Sequence, residues 1–280
     1  HMLLIGDPGT GKCVRGDTKV TLSDGSEVPI RELVESNLDN PNPVDDGVWD
    51  EANFGVPSMT GDGSLTTRQA TKVWKREAPD RLYRILTESG RTVEVTPSHP
   101  LFVAREGNTE AIVAEELKVG QFVAVPRSLP VTGEDSLDVS VRRSQSRNAV
   151  RLDVPGRMTP WLARLLGYIT AEGYVQKREY GSATVYVTNN DREILDDVAD
   201  GLKRLGLNYT ERSPHDAKPA REIVCSSSEF VSFLESLEPA LLSGSRSQRV
   251  PDAVMRATRP VKRGFLRAVI DAEGTVSPKQ

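Results

Sequence analysis

The chain has 280 residues, of which 37% are hydrophobic and 5% aromatic, and its formal net charge at pH 7 is −4. No apolar run reaches the roughly 20 residues that a helix needs to cross a bilayer. Only two cysteines occur, Cys13 and Cys225, and they lie far apart, which excludes a disulfide scaffold and a cysteine-based zinc site. We therefore expect a monomeric, cytoplasmic protein with no membrane partner and about two domains.

The charge is unevenly distributed along the chain. Residues 13–138 carry 13 Lys and Arg against 22 Asp and Glu, whereas residues 139–280 carry 22 against 17. An acidic half followed by a basic half predicts two domains. The basic half is suited to a polyanionic partner such as nucleic acid.

The first motif along the chain is a phosphate-loop pattern. Gly6, Gly11 and Lys12 fit G-x-x-x-x-G-K, but Cys13 stands where a Ser or Thr hydroxyl would bind magnesium. A phosphate loop also needs a long helix directly behind it, and the residues that follow resemble a β-hairpin instead. Two interpretations stay open: a fragment of a P-loop ATPase, or a junction between two proteins.

The first half of the chain is predicted to be mainly β. Residues 19–22 and 28–30 form a candidate hairpin, followed by a short helix. Residues 36–57 are rich in Asn, Asp, Pro and Gly and predict a loop or insertion. Strand-like runs then continue to residue 128, and the polar residues 130–157 are typical of a linker.

The second half of the chain is predicted to be α+β. A helix begins after the N-cap Thr159 and ends at Gly173, and a further helix runs from Asp191 to Leu205. The runs "TVYVTN" and "REIVCSS" predict strands, "SEFVSFLESL" predicts a helix, and a last helix ends at Gly274. Cys225 is expected to be a small buried apolar residue, and His215 to be solvated.

The first and last of these helices are copies of one element at an offset of 101 residues. Each carries small residues at i, i+4 and i+8, in a stripe about 12 Å long that lets two helices approach closely. The six stripe residues are Ala163, Gly167, Ala171, Gly264, Ala268 and Ala272. Packing stripe to stripe would bring Glu172 and Glu273 together, where a divalent cation would offset their repulsion. Paired carboxylates with Mg²⁺ in a basic domain predict phosphodiester hydrolysis.

The two helix sequences "LLGYITAEG" and "FLRAVIDAEG" resemble the paired motifs of LAGLIDADG homing endonucleases. Taken alone, Ala-Glu-Gly at a helix end is a common C-terminal cap; the stripe shared by both copies favours function. The resemblance implies that Glu172 and Glu273 are the metal ligands and that the partner is double-stranded DNA. A non-cutting LAGLIDADG module that binds DNA or RNA is the alternative.

The first half resembles the N-terminal splicing blocks of inteins. The blocks are "CVRGDTKVTLSDG", which begins at Cys13, "RTVEVTPSHPLFV", and "EELKVGQFVAVPRSL". The resemblance implies a mainly β Hint (hedgehog/intein) fold into which an α+β LAGLIDADG endonuclease domain is inserted. It divides the chain into a cloning remnant plus host segment (1–12), the N-terminal part of the Hint domain (13–129), the linker (130–157) and the endonuclease domain (158–280).

The intein resemblance also implies a chemistry that needs no cofactor. Cys13 would attack the carbonyl carbon of Lys12 and convert the peptide bond into a thioester. His99 would protonate the leaving nitrogen, and Thr96 would hold the scissile bond in place by a hydrogen bond. Transesterification and Asn cyclisation would use C-terminal residues that do not occur within these 280.

The residues before Cys13 would then belong to a host protein. The segment "LLIGDPGTGK" resembles the phosphate loop of archaeal MCM helicases, with other AAA+ ATPases as the alternative. The host segments would be partners in cis, and the DNA target would be the host gene without the intein.

Overall fold

The computed structural model describes residues 13–105, 107–147, 149–177, 182–213, 220–244 and 247–274. Gly6, Gly11, Lys12 and His215 lie outside these ranges. The chain divides into two compact units, unit 1 (His1–Thr132) and unit 2 (Gly133–Gln280). None of the helices within the described ranges is long and apolar enough to cross a membrane.

Unit 1 is built from small antiparallel sheets. Its first hairpin pairs β1 (Lys19–Thr21) with β2 (Glu27–Pro29), and a short helix α1 (Ile30–Glu35) follows, which confirms the prediction for this stretch. The other strands are β3 (Asn42–Val44), β4 (Gly47–Met59), β5 (Leu65–Arg76), β6 (Tyr83–Leu86), β7 (Thr92–Val95), β8 (Pro100–Arg105) and β9 (Asn108–Val113). They form the sheets β3-β4-β5, β6-β7 and β8-β9.

The prediction of a loop over residues 36–57 is wrong. Most of this stretch belongs to β3 and to β4, which has 13 residues and pairs along the 12-residue β5. The polar residues that suggested a loop have partners here: the carboxylate of Asp50, for example, accepts hydrogen bonds from the backbone N–H groups of Asn40 (2.6 Å) and Glu51 (2.8 Å). A long cross-strand partner thus overrides the low strand propensity of Asn and Asp.

The hydrophobic core of unit 1 is small and lies next to the start of the described chain. Its fully buried members are Val95, Leu101 and Ala114. Val14 packs on this core and forms a β-bridge with Val95, so the strand ends around Thr96 and the backbone of Cys13 are held side by side.

Unit 2 is an α/β arrangement around one four-stranded antiparallel sheet. Its elements are α2 (Pro160–Glu172), β10 (Gly173–Lys177), β11 (Ala183–Asn189), α3 (Arg192–Arg204), β12 (Thr210–Arg212), β13 (Arg221–Ser226), α4 (Ser228–Leu237), α5 (Asp252–Met255) and α6 (Arg259–Glu273). The strand order is β10-β11-β13-β12. As predicted, the Thr159 side chain caps α2, and Cys225 is buried within β13, where burial raises the pKa of its thiol to about 12.

Residues 130–157, predicted to be a linker, divide between the two units at Thr132, and the part from Gly133 onward packs on unit 2. Leu152 is fully buried in the unit 2 core. The buried carboxylate of Glu229 at the start of α4 accepts hydrogen bonds from the backbone N–H groups of Ser144 (2.9 Å) and Leu152 (3.1 Å). Its other partners are the guanidinium groups of Arg143 (2.7 Å) and Arg151 (2.6 Å). Polar composition here therefore reflects specific bonds to a buried acid.

The two repeated helices, α2 and α6, pack directly against each other. A Cβ added at Gly167 would lie 2.7 Å from the Ala268 Cβ and 2.7 Å from the Phe265 carbonyl oxygen, and one added at Gly264 would lie 2.6 Å from the Pro160 carbonyl oxygen. Only glycine permits this approach of two backbones. The close packing fixes the two helix ends, which carry Glu172 and Glu273, relative to each other.

Candidate functional site

The first candidate site surrounds the backbone of Cys13. Thr96 directly follows β7, and His99 directly precedes β8, so both side chains come from the turn between these strands. The imidazole of His99 is completely buried, the Thr96 side chain is 7% exposed, and Cys13 is half-buried. The turn thereby places two polar side chains inside unit 1, at the point where the described chain begins.

Four hydrogen bonds hold Cys13 in this turn. The Cys13 backbone N–H donates to the Thr96 hydroxyl (3.1 Å), and this hydroxyl donates to the Cys13 carbonyl oxygen (3.2 Å). The same carbonyl accepts from the Thr96 backbone N–H (3.0 Å) and lies 3.1 Å from His99 Nδ1, which as its partner must carry the proton. All three residues predicted for thioester formation that lie in the described ranges are therefore in contact.

The electrostatic environment of Cys13 favours its thiol over its thiolate. Burial raises the pKa of the Cys13 thiol, the positive charge of Arg76 opposes the shift, and the negative charge of Asp46 adds to it. Arg76 and Asp46 form an ion pair across the β3–β4–β5 sheet. No pattern in the sequence indicated these two residues, because they reach Cys13 through the pairing of β4 with β5.

The residues after Cys13 do not build a phosphate loop. Between Cys13 and Pro29 the structure has the bridge at Val14 and the hairpin of β1 and β2, and among the described residues the first helix begins at Ile30. A phosphate loop requires a helix N-terminus immediately after its Lys, since backbone N–H groups at that terminus bind the phosphate. The geometry downstream of Lys12 is thus unsuited to a P-loop ATPase.

The second candidate site lies where α2 and α6 end, at Glu172 and Glu273. Glu172 is partly buried and Glu273 is exposed. Burial and the negative charge of Glu273 raise the pKa of the Glu172 carboxyl, and a hydrogen bond from the Asn189 side-chain amide (3.2 Å) opposes this shift. The structure therefore brings the two predicted carboxylates close enough to repel each other.

The donor set at this second site fits a hard divalent cation. Mg²⁺ and Ca²⁺ prefer carboxylate oxygens, and mutual repulsion between two carboxylates is relieved by a cation between them. Asp271, the other acidic residue of the second motif, is turned towards Arg267 (3.4 Å). Within the described ranges no cluster of three or more His, Cys, Asp or Glu side chains has metal-binding geometry, so water or DNA oxygens would have to complete the coordination.

Comparisons with known proteins separate the two units. The LAGLIDADG-like domain family matches residues 160–238, within unit 2. The TvoVMA intein crystal structure is 31% identical, with a TM-score of 0.40, and the match covers 43% of this chain and 74% of that one. The PabCDC21-1 intein is 28% identical, with a TM-score of 0.38, over 42% of this chain and 85% of that one.

Nearly the whole chain also matches longer proteins. It is 33% identical over 282 residues to the replication factor C small subunit of Pyrococcus horikoshii, a match that covers 99% of this chain and 27% of that protein. It is 25% identical over 299 residues to the DNA-directed RNA polymerase subunit Rpo1C of Methanocaldococcus jannaschii, covering 98% of this chain and 33% of that protein. The chain thus spans between a quarter and a third of the length of these curated relatives. On the family match, residues 160–238 form a LAGLIDADG-like domain.

Proposed function

We propose that unit 1 is the N-terminal part of a self-splicing intein, in which Cys13 is the nucleophile of the first step. The observation that carries the proposal is the set of hydrogen bonds from Thr96 and His99 to the Cys13 backbone. These bonds hold the nitrogen of the peptide bond to Lys12 and its neighbouring carbonyl in one orientation. Fixing the reacting groups in this way lowers the entropic part of the barrier.

In the proposed step, Cys13 Sγ attacks the carbonyl carbon of Lys12 and the bond from that carbon to the Cys13 nitrogen breaks. A C–S bond replaces the C–N bond, so that Lys12 is joined to Cys13 by a thioester. The departing nitrogen takes up a proton, and His99 is the acid assigned to supply it, because its buried imidazole lies on the same residue. Transesterification and Asn cyclisation are assigned to a C-terminal segment of the complete protein.

The matches to longer proteins support this proposal. Almost the same 280 residues are found in proteins named as parts of replication factor C, of an A-type ATP synthase and of a DNA-directed RNA polymerase. A segment shared by proteins of such different names behaves as an inserted element. The assignment of an archaeal MCM helicase as host of this copy rests on the segment from Leu3 to Lys12.

The test of the splicing proposal is thiol-induced cleavage. Incubation of the whole chain with dithiothreitol or hydroxylamine should release residues 1–12, detected by mass spectrometry, because these nucleophiles attack a thioester but not an amide. Cys13→Ala must abolish the release. The matched control is Cys225→Ala, which should leave it unchanged, since the thiol of Cys225 is buried and its pKa is raised to about 12. A folded wild-type chain that releases nothing would remove the proposal.

For unit 2 the proposed function is that of a homing endonuclease that cuts double-stranded DNA at the host gene without the intein. Glu172 and Glu273 would hold Mg²⁺, which when bound supplies an activated water and charge stabilisation at the leaving oxygen. The excess of basic residues after residue 139 suits contacts to DNA phosphates.

Glu172→Gln should abolish Mg²⁺-dependent cleavage of a DNA that carries the joined host sequence, because the amide removes a charged ligand without changing the shape of the side chain. Asp271→Asn is the matched control and should retain cleavage, since Asp271 is turned towards Arg267. Gel analysis of linearised plasmid measures both. Tight binding without cutting by the wild type would favour the alternative function, a non-cutting LAGLIDADG module.

A further inference from the structure

Asn189 occupies the position in unit 2 where β11 ends beside the C-terminus of α2. Side chains alternate between the two faces of a strand, and Val185 and Val187 of β11 point into the core. Asn189 is the next residue on that face. It therefore points towards the helix that the sheet covers, and the part of α2 it meets is Glu172.

Two hydrogen bonds define the orientation of the Asn189 amide. Its Oδ1 accepts from the backbone N–H of Asp191 (2.8 Å), so the group that faces Glu172 is the Nδ2 amide, which donates to Glu172 Oε1 (3.2 Å). Asp191 in turn caps α3 by accepting from the Glu193 N–H (2.8 Å). The amide is thus anchored to the rigid start of a helix.

We propose that Asn189 is a positioning residue that holds the Glu172 carboxylate in the orientation in which it receives a divalent cation. The inference rests on the proposed metal site. Glu172 is partly buried and lies beside the like charge of Glu273, and a carboxylate in such a place turns away unless a donor holds it. Asn189 supplies that donor from an element other than the two helices that carry the carboxylates.

The test is the Mg²⁺ affinity of the whole chain without DNA, measured by calorimetry, in Asn189→Ser. Serine keeps an acceptor for the Asp191 N–H but does not reach Glu172, so the turn before α3 is retained. We expect the Mg²⁺ Kd to rise by about 10–100-fold, the usual effect of removing a residue that orients a metal ligand. The melting temperature in EDTA should not change.

Asn190→Ser is the matched control, because Asn190 is the exposed neighbour in the chain, and its Kd should equal that of the wild type. Asn189→Ala is the second variant and should show the same loss of affinity. An unchanged Kd in both Asn189 variants would overturn the inference.

Cleavage assays separate the inference from the proposed nuclease function. Raised Mg²⁺ should restore the cleavage rate of Asn189→Ser, since the variant retains both carboxylates. Weaker Mg²⁺ binding by Asn189→Ser, together with no cleavage by the wild type, would remove the nuclease and support the positioning role. Cleavage by the wild type with an unchanged Kd in Asn189→Ser would do the reverse.

Discussion

His99→Ala should slow the thiol-induced release of residues 1–12 by about 10²–10⁴-fold, the usual contribution of a positioned general acid. The physical reason is the leaving group: an amide nitrogen does not depart as an anion near neutral pH, so the acid that protonates it controls the step. The rate constant of peptide release, measured by mass spectrometry at fixed thiol concentration, checks this expectation.

His99→Gln is the control that separates proton transfer from positioning. A glutamine side-chain amide can donate a hydrogen bond to the Cys13 carbonyl, as His99 Nδ1 does at 3.1 Å, but it cannot transfer a proton at these pH values. Both variants should therefore be slow. A His99→Gln chain that cleaves at the wild-type rate would show that His99 only positions Cys13.

The pH dependence of release should follow the Cys13 thiol. Because burial raises the pKa of this thiol, only a small fraction is thiolate at neutral pH, and that fraction grows as pH rises towards the raised value. We expect release by the wild type to accelerate with pH beyond the range in which an ordinary cysteine has already ionised. A rate that levels off below the ordinary thiol pKa would contradict the buried environment of Cys13.

Glu229→Gln should lower the free energy of unfolding of unit 2 by about 3 kcal/mol at pH 7, as expected when a buried ion pair loses one partner. The Glu229 side chain is 1% exposed and accepts from two backbone amides and two arginines. Glutamine has one acceptor oxygen, so it places an amide group against donors. Hydrogen exchange of the α4 backbone amides measures the opening of unit 2 by itself.

The effect of Glu229→Gln should depend on pH in a defined direction. Burial alone would raise the pKa of Glu229, but the two backbone amides and the two guanidinium groups together lower it from 4.5 to about 2. A lowered pKa stabilises the folded state above the unfolded value of 4.5, and this stabilisation is lost as pH falls towards 2. The difference between wild type and variant should therefore shrink between these two pH values.

Glu235→Gln is the matched control on the same helix. Its carboxylate pairs with Arg142 (2.7 Å) and Lys177 (2.8 Å) but is 34% exposed. Such a pair contributes about 1 kcal/mol or less, because water screens it. Equal losses in the two variants would mean that burial of Glu229 adds nothing to the stability of unit 2.

Local sequence signals were sufficient for the helices and strands of unit 2. Caps such as Thr159 and the spacing of apolar residues depend only on neighbours within about one helical turn, which is why the ends of α2 were predictable. The same reasoning failed over residues 36–57, because β4 is stabilised by a partner strand and not by its own composition. It also did not reveal Asn189, whose role depends on where β11 ends relative to α2.

By itself the sequence determined the repeat, the acidic residues at its two helix ends, and the Cys13, Thr96 and His99 set, since these depend on residue type and spacing. Only the tertiary structure decided how each is surrounded. Leu165 and Ile169 of α2 are 1% exposed, whereas their counterparts in α6, Leu266 and Ile270, are each 56% exposed. The two helices share one pattern, but the sheet of unit 2 packs on α2, and burial depends on what covers a face and not on the face itself.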